Sequence, residues 1–302
     1  MRMQMKTSRR EFIGGLSAGA AFAAMPSFAA ELKAERKCRI GVQRWSLNGY
    51  VPKVGFAKAM EELAKIGYEG VEFYSYYKLP AKEIKKILDD NGLVACGTHV
   101  GRWDFDPANY EKTCEFCREC GITALTCPRP GNYPPPKGTT LDDWMKTLCE
   151  KYNVAAENCA KYGCTVGLHN HMNEFKMKLS DGTLFWDAFF KGTDSRVQMQ
   201  QDVGWTVAAG FDPCEQYEKY PHRSYSLHAK ENGEGKNVKK FTGILGRPGE
   251  GDPGAKGVDW DRLFKATDAD GVKWYIVECE RSWGSLDAVK PSFEFLRSKG
   301  RV

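Results

Sequence analysis

Short apolar runs alternate with longer stretches in which apolar residues recur every three or four positions, and this alternation persists through most of the chain. Residues 38–43 predict a first strand, and residues 55–66 a helix with Phe56, Met60, Leu63 and Ile66 near helical spacing. Residues 70–74 predict a second strand, the charged amphipathic segment 81–91 a helix, and residues 94–99 a third strand. Helix 110–120, strand 124–127 and a long helix from residue 141 come next; Gly163 stops that helix near Tyr162. Four more apolar runs end at His169, Asp202, His228 and Glu278, with helical patterns at 187–190, 213–220, 260–266 and 286–296. The run before Asp202, Gln198-Met199-Gln200-Gln201, is more polar than the others and the weaker strand signal. Eight strand–helix units, with no repeat, low-complexity tract or linker, predict an α/β fold: a single-domain (β/α)8 barrel.

The N-terminus breaks this alternation. Ser8-Arg9-Arg10-Glu11-Phe12-Ile13 is a twin-arginine string, followed by a Gly- and Ala-rich apolar stretch over 13–25 and small residues at Ser27-Phe28-Ala29. That order predicts a twin-arginine signal peptide over residues 1–29, a barrel over residues 30–302, and a protein exported folded to the periplasm. Four basic residues and one acid lie in the first 29 positions, so without them the net charge falls from +5 to +2. So small an excess argues against nucleic acid as a partner. No later stretch is long and apolar enough to span a bilayer, so no stable membrane insertion is expected after signal removal. Homo-oligomerisation stays open. Of eleven cysteines, Cys114, Cys117 and Cys120 stand three apart in a helical pattern, but no second Cys-x-x-Cys pair or nearby His completes a zinc site. Buried structural thiols are the expected reading, and a protein exported folded from a reducing cytosol need not form disulfides.

Candidate chemistry concentrates at the strand ends. His169, Asp202, His228 and Glu278 follow one another at spacings of 33, 26 and 50 residues, each where a strand hands over to a loop. In an α/β barrel that is the face on which reactions occur. Two imidazoles and two carboxylates suit one divalent ion, Mn2+, Zn2+, Co2+ or Fe2+, with positions left for substrate oxygens. His171 stands two residues after His169, so strand alternation predicts that both face inward, and either is a candidate ligand. Lys230 after His228 and Glu280 after Glu278 repeat that spacing. Lys230 is a candidate to hold a substrate hydroxyl or stabilise an enolate, against a plain salt bridge. Glu280 is split between supporting the ligand and acting as general base. Arg44 and Trp45 close the first strand, His99 ends the third, and Glu72 is an acid in an apolar strand that needs a partner, for which Arg44 is the candidate. These four and His171 are the expected substrate contacts. Trp45, Trp103, Trp205 and Trp283 follow strand ends and suit either stacking on a sugar or core packing. The Gly-, Lys- and Pro-rich segment 231–257 has the length of a lid or binding loop. Its GEGDPG string lacks the strand–Gly–helix context of a phosphate cradle.

Seven strings in order, GVQRWSL, GYEGVEFY, GTHVG, LHNHMNEF, QDVGW, SLHAKEN and WYIVECER, resemble the xylose-isomerase-like TIM barrels known as sugar phosphate isomerases/epimerases. The resemblance covers essentially all of residues 38–299. It implies one divalent metal at the barrel mouth, held by His169, Asp202, His228 and Glu278 when the family's ligands are carried over by position. Many epimerases of that family have a Glu where this chain has His169, and there two metal-bound glutamates exchange the proton on opposite faces of the sugar. With Glu278 alone of that pair, another base is needed; Glu174, Glu280, Lys230 and His171 are the candidates. The implied function is a metal-dependent isomerase or epimerase acting on a free sugar or keto sugar through a stabilised enediolate. The missing glutamate adds weight to a lyase or hydratase, performing β-elimination or dehydration on a keto sugar or keto glycoside by the same enolate chemistry. A non-catalytic periplasmic sugar-binding barrel is the reading from another class, and metal content separates it from the enzymes. A metal-dependent endonuclease of the same shape is weaker, because those sites carry more ligands and a basic face. Export, and the lack of a compact phosphate cradle, favour an unphosphorylated small-molecule carbohydrate.

Overall fold

The computed structural model describes residues 38–130, 135, 137–231, 244–248, 257–279 and 284–302. The segment assigned to the signal peptide, Glu280, Trp283 and most of the 231–257 segment lie outside the described residues. Eight parallel strands close a barrel in chain order: β1 (Arg39–Gln43), β2 (Gly70–Phe73), β3 (Val94–His99), β4 (Ala124–Cys127), β5 (Thr165–His169), β6 (Gln198–Asp202), β7 (Ser226–Ala229) and β8 (Trp274–Val277). Closure is made by β1, which pairs with β2 on one side and β8 on the other.

Crossover helices Phe56–Ile66, Ala81–Asp90, Tyr110–Cys120, Leu141–Ala160, Phe185–Gly192, Pro213–Lys219, Trp260–Asp270 and Val289–Ser298 surround the strands. Every residue of β2, β4, β7 and β8 is buried, because one face fills the barrel and the other packs on helices. Each helix turns its apolar stripe inward. Phe56, Ala59, Met60 and Leu63 bury the first, which ends at Gly67 with φ of 116°. A Cβ there would stand 2.5 Å from the Phe293 ring, so the close approach of the last helix also needs glycine.

Cys114, Cys117 and Cys120 are the buried face of their helix, and all eleven cysteines are buried free thiols. That agrees with the structural reading. Element boundaries move by a few residues: the long helix ends at Ala160, before Gly163 turns the chain with φ of 70°, and the last helix starts at Val289. The polar run 198–202 is a full strand, with Gln200 and Gln201 buried. Among the described residues no helix is long and apolar enough to cross a membrane.

Candidate metal centre

His169 ends β5, Asp202 ends β6, His228 lies within β7 and Glu278 follows β8 directly. Parallel pairing in register sets these positions side by side: His169 lies opposite Gln200, Asp202 opposite His228 and His228 opposite Ile276. One ligating atom from each of the four buried residues lies within 4.8 Å of all the others. His169 Nε2 and His228 Nδ1 each stand 3.9 Å from Asp202 Oδ2, and His228 Nδ1 is 2.7 Å from Glu278 Oε2.

Asp202 has two jobs. Its Oδ1 accepts the Trp205 amide at 2.9 Å and caps the short helix Val203–Ala208. Its Oδ2 is buried among the other ligating atoms with no hydrogen-bond partner among the described residues. Burying a carboxylate oxygen without a hydrogen bond is costly unless a cation stands near; Lys230 Nζ does so at 3.4 Å, and a divalent ion would do so directly. Two imidazole nitrogens and a second carboxylate converge on that oxygen, so the residues fit a divalent ion.

The charge balance agrees. Burial works against a charged His228, but Glu72 and Glu278, one at each ring nitrogen, outweigh it and raise its pKa to about 10. Burial, opposed by Lys230 and reinforced by Glu278, raises Asp202 to about 6. Burial would also raise Glu278, yet Lys230 and His228 outweigh it and hold the carboxylate ionised. His169 is driven well below the usual histidine range by burial and by neighbouring His228, leaving the neutral ring that binds metals. Lys230 Nζ lies between the acids, 3.4 Å from Asp202 Oδ2 and 3.6 Å from Glu278 Oε1.

Above the cluster opens a cavity of about 350 Å³ whose wall includes Trp45, Tyr74, His99, His171 and Trp205, with Arg129 at its rim. His171 therefore borders the cavity, while the ligating set contains His169 and not His171. Both rings do border the cavity, with centroids 5.0 Å apart, but not through strand alternation, because β5 ends at His169. His171 is instead set by Glu174, whose buried carboxylate accepts its backbone N–H at 2.8 Å. A second cavity of about 500 Å³ lies between helices Pro213–Lys219 and Trp260–Asp270 and contains none of the four ligating residues.

The expected Arg44–Glu72 pair does not form. Arg44 follows β1 on a turn that takes its guanidinium away from Glu72, to 3.8 Å from the Tyr74 ring and 4.4 Å from the Tyr77 ring, where it bonds the Tyr77 hydroxyl. Glu72 finds partners inside the barrel instead, in Gln43, Gln200 and His228. Trp103 is 59% exposed and absent from the cavity wall. Sequence reasoning passed over Gln43, Gln200, Tyr74 and Arg129. The usable signal was the buried glutamines inside two strands, Gln43 in β1 and Gln200 and Gln201 in β6.

A family model for the xylose isomerase-like TIM barrel matches residues 60–299. The chain belongs to the xylose isomerase-like TIM barrel family. It is 24% identical over 272 residues to an inosose dehydratase from Erwinia tasmaniensis, covering 78% of this chain and 87% of that one. With an inosose dehydratase from Clostridium beijerinckii it shares 25% identity over 287 residues, 85% of this chain and 92% of the relative. A crystal structure of a sugar phosphate isomerase/epimerase from Parabacteroides distasonis superposes with a TM-score of 0.69 at 26% identity, covering 92% of this chain and 100% of that one. Family membership and the buried cluster together mark a xylose isomerase-like enzyme of the sugar isomerase, epimerase and dehydratase group.

Proposed function

We propose that this protein is a divalent-metal-dependent enzyme that removes the proton beside the carbonyl of a keto sugar or related cyclic ketone and expels a β-leaving group. The observation that carries the reading is the ligating set itself: a histidine, His169, from β5, with Glu278 the carboxylate on the cavity wall. Elimination does not require a proton to be passed between two glutamates on opposite faces of the ring. The extended similarity to two inosose dehydratases supports the same outcome.

When bound, the ion would supply Lewis-acid polarisation of the substrate carbonyl and offset the negative charge that develops on its oxygen. Glu278, held ionised by Lys230 and His228, is placed to accept a proton from a substrate carbon. Lys230, within 4 Å of both acids, is the residue to return a proton to a departing hydroxyl or to hold the enolate oxygen. Burial lowers the pKa of His99 and brings His171 to about 3, so both rings are neutral and able to exchange hydrogen bonds with substrate hydroxyls. Trp45, Tyr74 and Trp205 offer aromatic faces for the C–H side of a ring. A volume of about 350 Å³ suits one monosaccharide-sized ligand. The twin-arginine string around Arg9 and Arg10 supports a periplasmic setting and hence an unphosphorylated substrate.

Isomerisation or epimerisation is the second reading. It is favoured by the similarity to the Parabacteroides isomerase/epimerase and by Lys230 as a second proton carrier beside Glu278. Incubating metal-loaded protein with inososes and free keto sugars in D2O separates the outcomes. An unsaturated product supports elimination, whereas deuterium at one carbon of an intact skeleton supports isomerisation. Sugar binding with neither change would leave a binding barrel and overturn the enzymatic reading.

A further inference from the structure

Beneath the ligating set lies a closed ring of polar side chains centred on Glu72, which is 1% exposed. Its Oε2 accepts Gln43 Nε2 at 2.6 Å and faces His228 Nε2 at 2.6 Å, while its Oε1 accepts Gln200 Nε2 at 2.5 Å. Gln200 Nε2 also donates to Ser226 Oγ at 2.9 Å. An ionised carboxylate can only accept hydrogen bonds, so the nitrogen end of the Gln200 amide must face Glu72 and its oxygen must face away. That oxygen stands 3.1 Å from His169 Nδ1 and 2.8 Å from His99 Nε2.

A carbonyl oxygen likewise only accepts, so both ring nitrogens facing it must carry hydrogen. His169 is thereby protonated on Nδ1, and its Nε2 lone pair is left for the cluster, 3.9 Å from Asp202 Oδ2. His99 is protonated on Nε2, which leaves Nδ1 as its acceptor. On the other arm His228 gives its Nε2 proton to Glu72 and turns Nδ1 to the cluster.

We propose that Glu72, acting directly on His228 and through Gln200 on His169, is the positioning residue that sets the tautomers of both imidazole ligands. One acid on β2 thus aims two candidate ligands on β5 and β7, and holds His99 in the cavity wall both through the same amide and directly, its Oε2 standing 3.3 Å from His99 Nε2. The proposal rests on the reading that the cluster holds a metal, and it adds a residue outside the ligating set. A glutamine at position 72 cannot replace the acid. It has one oxygen to serve three donors, and its amide nitrogen would oppose those of Gln43 or Gln200. Partners that orient metal-ligating histidines are worth about 10–100-fold in metal affinity.

The test combines chelator-competition titration of Zn2+ with 15N NMR of the histidine rings, on wild type, Glu72→Gln and Gln200→Leu. In metal-free wild type, His169 is expected as the Nδ1–H tautomer and His99 as Nε2–H. In the zinc-loaded protein, zinc is expected on His169 Nε2 and His228 Nδ1. Glu72→Gln should weaken zinc by about 10–100-fold and mix the His169 tautomers. Gln200→Leu should disturb His169 while leaving His228, and the Nε2–H form of His99 against Glu72, as in wild type. The opposite His169 tautomer in wild type would overturn the proposal without any variant. So would zinc affinity within twofold of wild type in a folded Glu72→Gln protein. If wild type bound no divalent ion, the metal reading would fall, while the metal-free tautomers would still decide the role of Glu72.

Discussion

The strand ends of β5–β8 carry His169, Asp202, His228 and Glu278, whereas those of β1–β4 carry Gln43, Glu72, His99 and Cys127. The first group converges on one point and offers lone pairs to a cation. The second supplies an acid, Glu72, that meets His228, an amide, Gln43, that bonds this acid, and a ring, His99, stacked on His228, together with aromatic cavity walls at Trp45 and Tyr74. The difference shows a division of labour across the barrel. The candidate ligands come from one half, and the acid that aims the imidazoles, Glu72, comes from the other, meeting His228 directly and reaching His169 through Gln200 on β6. The partners are remote along the chain: Glu72 is 128 residues from Gln200 and 156 from His228.

Removing a ligand on the β5–β8 side should have the largest effect. His169→Ala or Glu278→Gln should abolish the stoichiometric ion in metal analysis and lower activity by about 10³-fold, the equivalent of about 4 kcal/mol of lost charge stabilisation. An unchanged metal content would dissolve the contrast between the halves. Next is Lys230, which touches the acids without belonging to the ligating set. Lys230→Met should reduce kcat by about 10²-fold with the metal retained. Loss of the ion in that variant would make Lys230 part of the scaffold.

A pH series sharpens the comparison further. His228 binds a proton up to about pH 10, so an ion arriving at its Nδ1 below that pH must expel the proton. Metal affinity should therefore rise about tenfold per pH unit toward pH 10, by proton linkage. Below about pH 6 Asp202 is protonated as well, so a second proton must leave and the slope steepens. Chelator competition between pH 5 and 9 measures this. A flat response between pH 7 and 9 would remove His228 Nδ1 from the ligand set.

The smallest effect belongs to Arg44, on the supporting side but outside the Glu72 ring. Arg44→Lys loses the planar cation over Tyr74 and Tyr77 and should cost about 1–2 kcal/mol in thermal or denaturant unfolding. Zinc affinity should stay at the wild-type value. A changed affinity would extend the supporting half beyond Glu72.

The eight strand–helix units were legible in the sequence because the period of apolar residues is a local property. Phe56, Met60 and Leu63 mark a helical face, and a run such as Tyr275-Ile276-Val277 marks a strand, whatever the rest of the chain does. The four positions of the buried cluster were legible for the same reason, since each stands at or beside the end of such a run. Even the free thiols followed local spacing, with Cys114, Cys117 and Cys120 on one helix face. Strand alternation was carried two residues too far: it placed His171 on β5, which ends at His169.

Tertiary structure alone decided which polar groups meet inside the barrel. The sequence offered Arg44 as a partner for Glu72, with substrate contact as the alternative; in the folded chain Glu72 meets Gln43, Gln200 and His228. Gln200 reads locally as a blemish in a strand, and only closure makes it the bridge between Glu72 and His169. The physical reason is that barrel closure brings side chains from distant strands into one dry interior, where an unpaired polar atom is costly. Periodicity along the chain says which residues enter that interior, and register around the barrel says which of them touch.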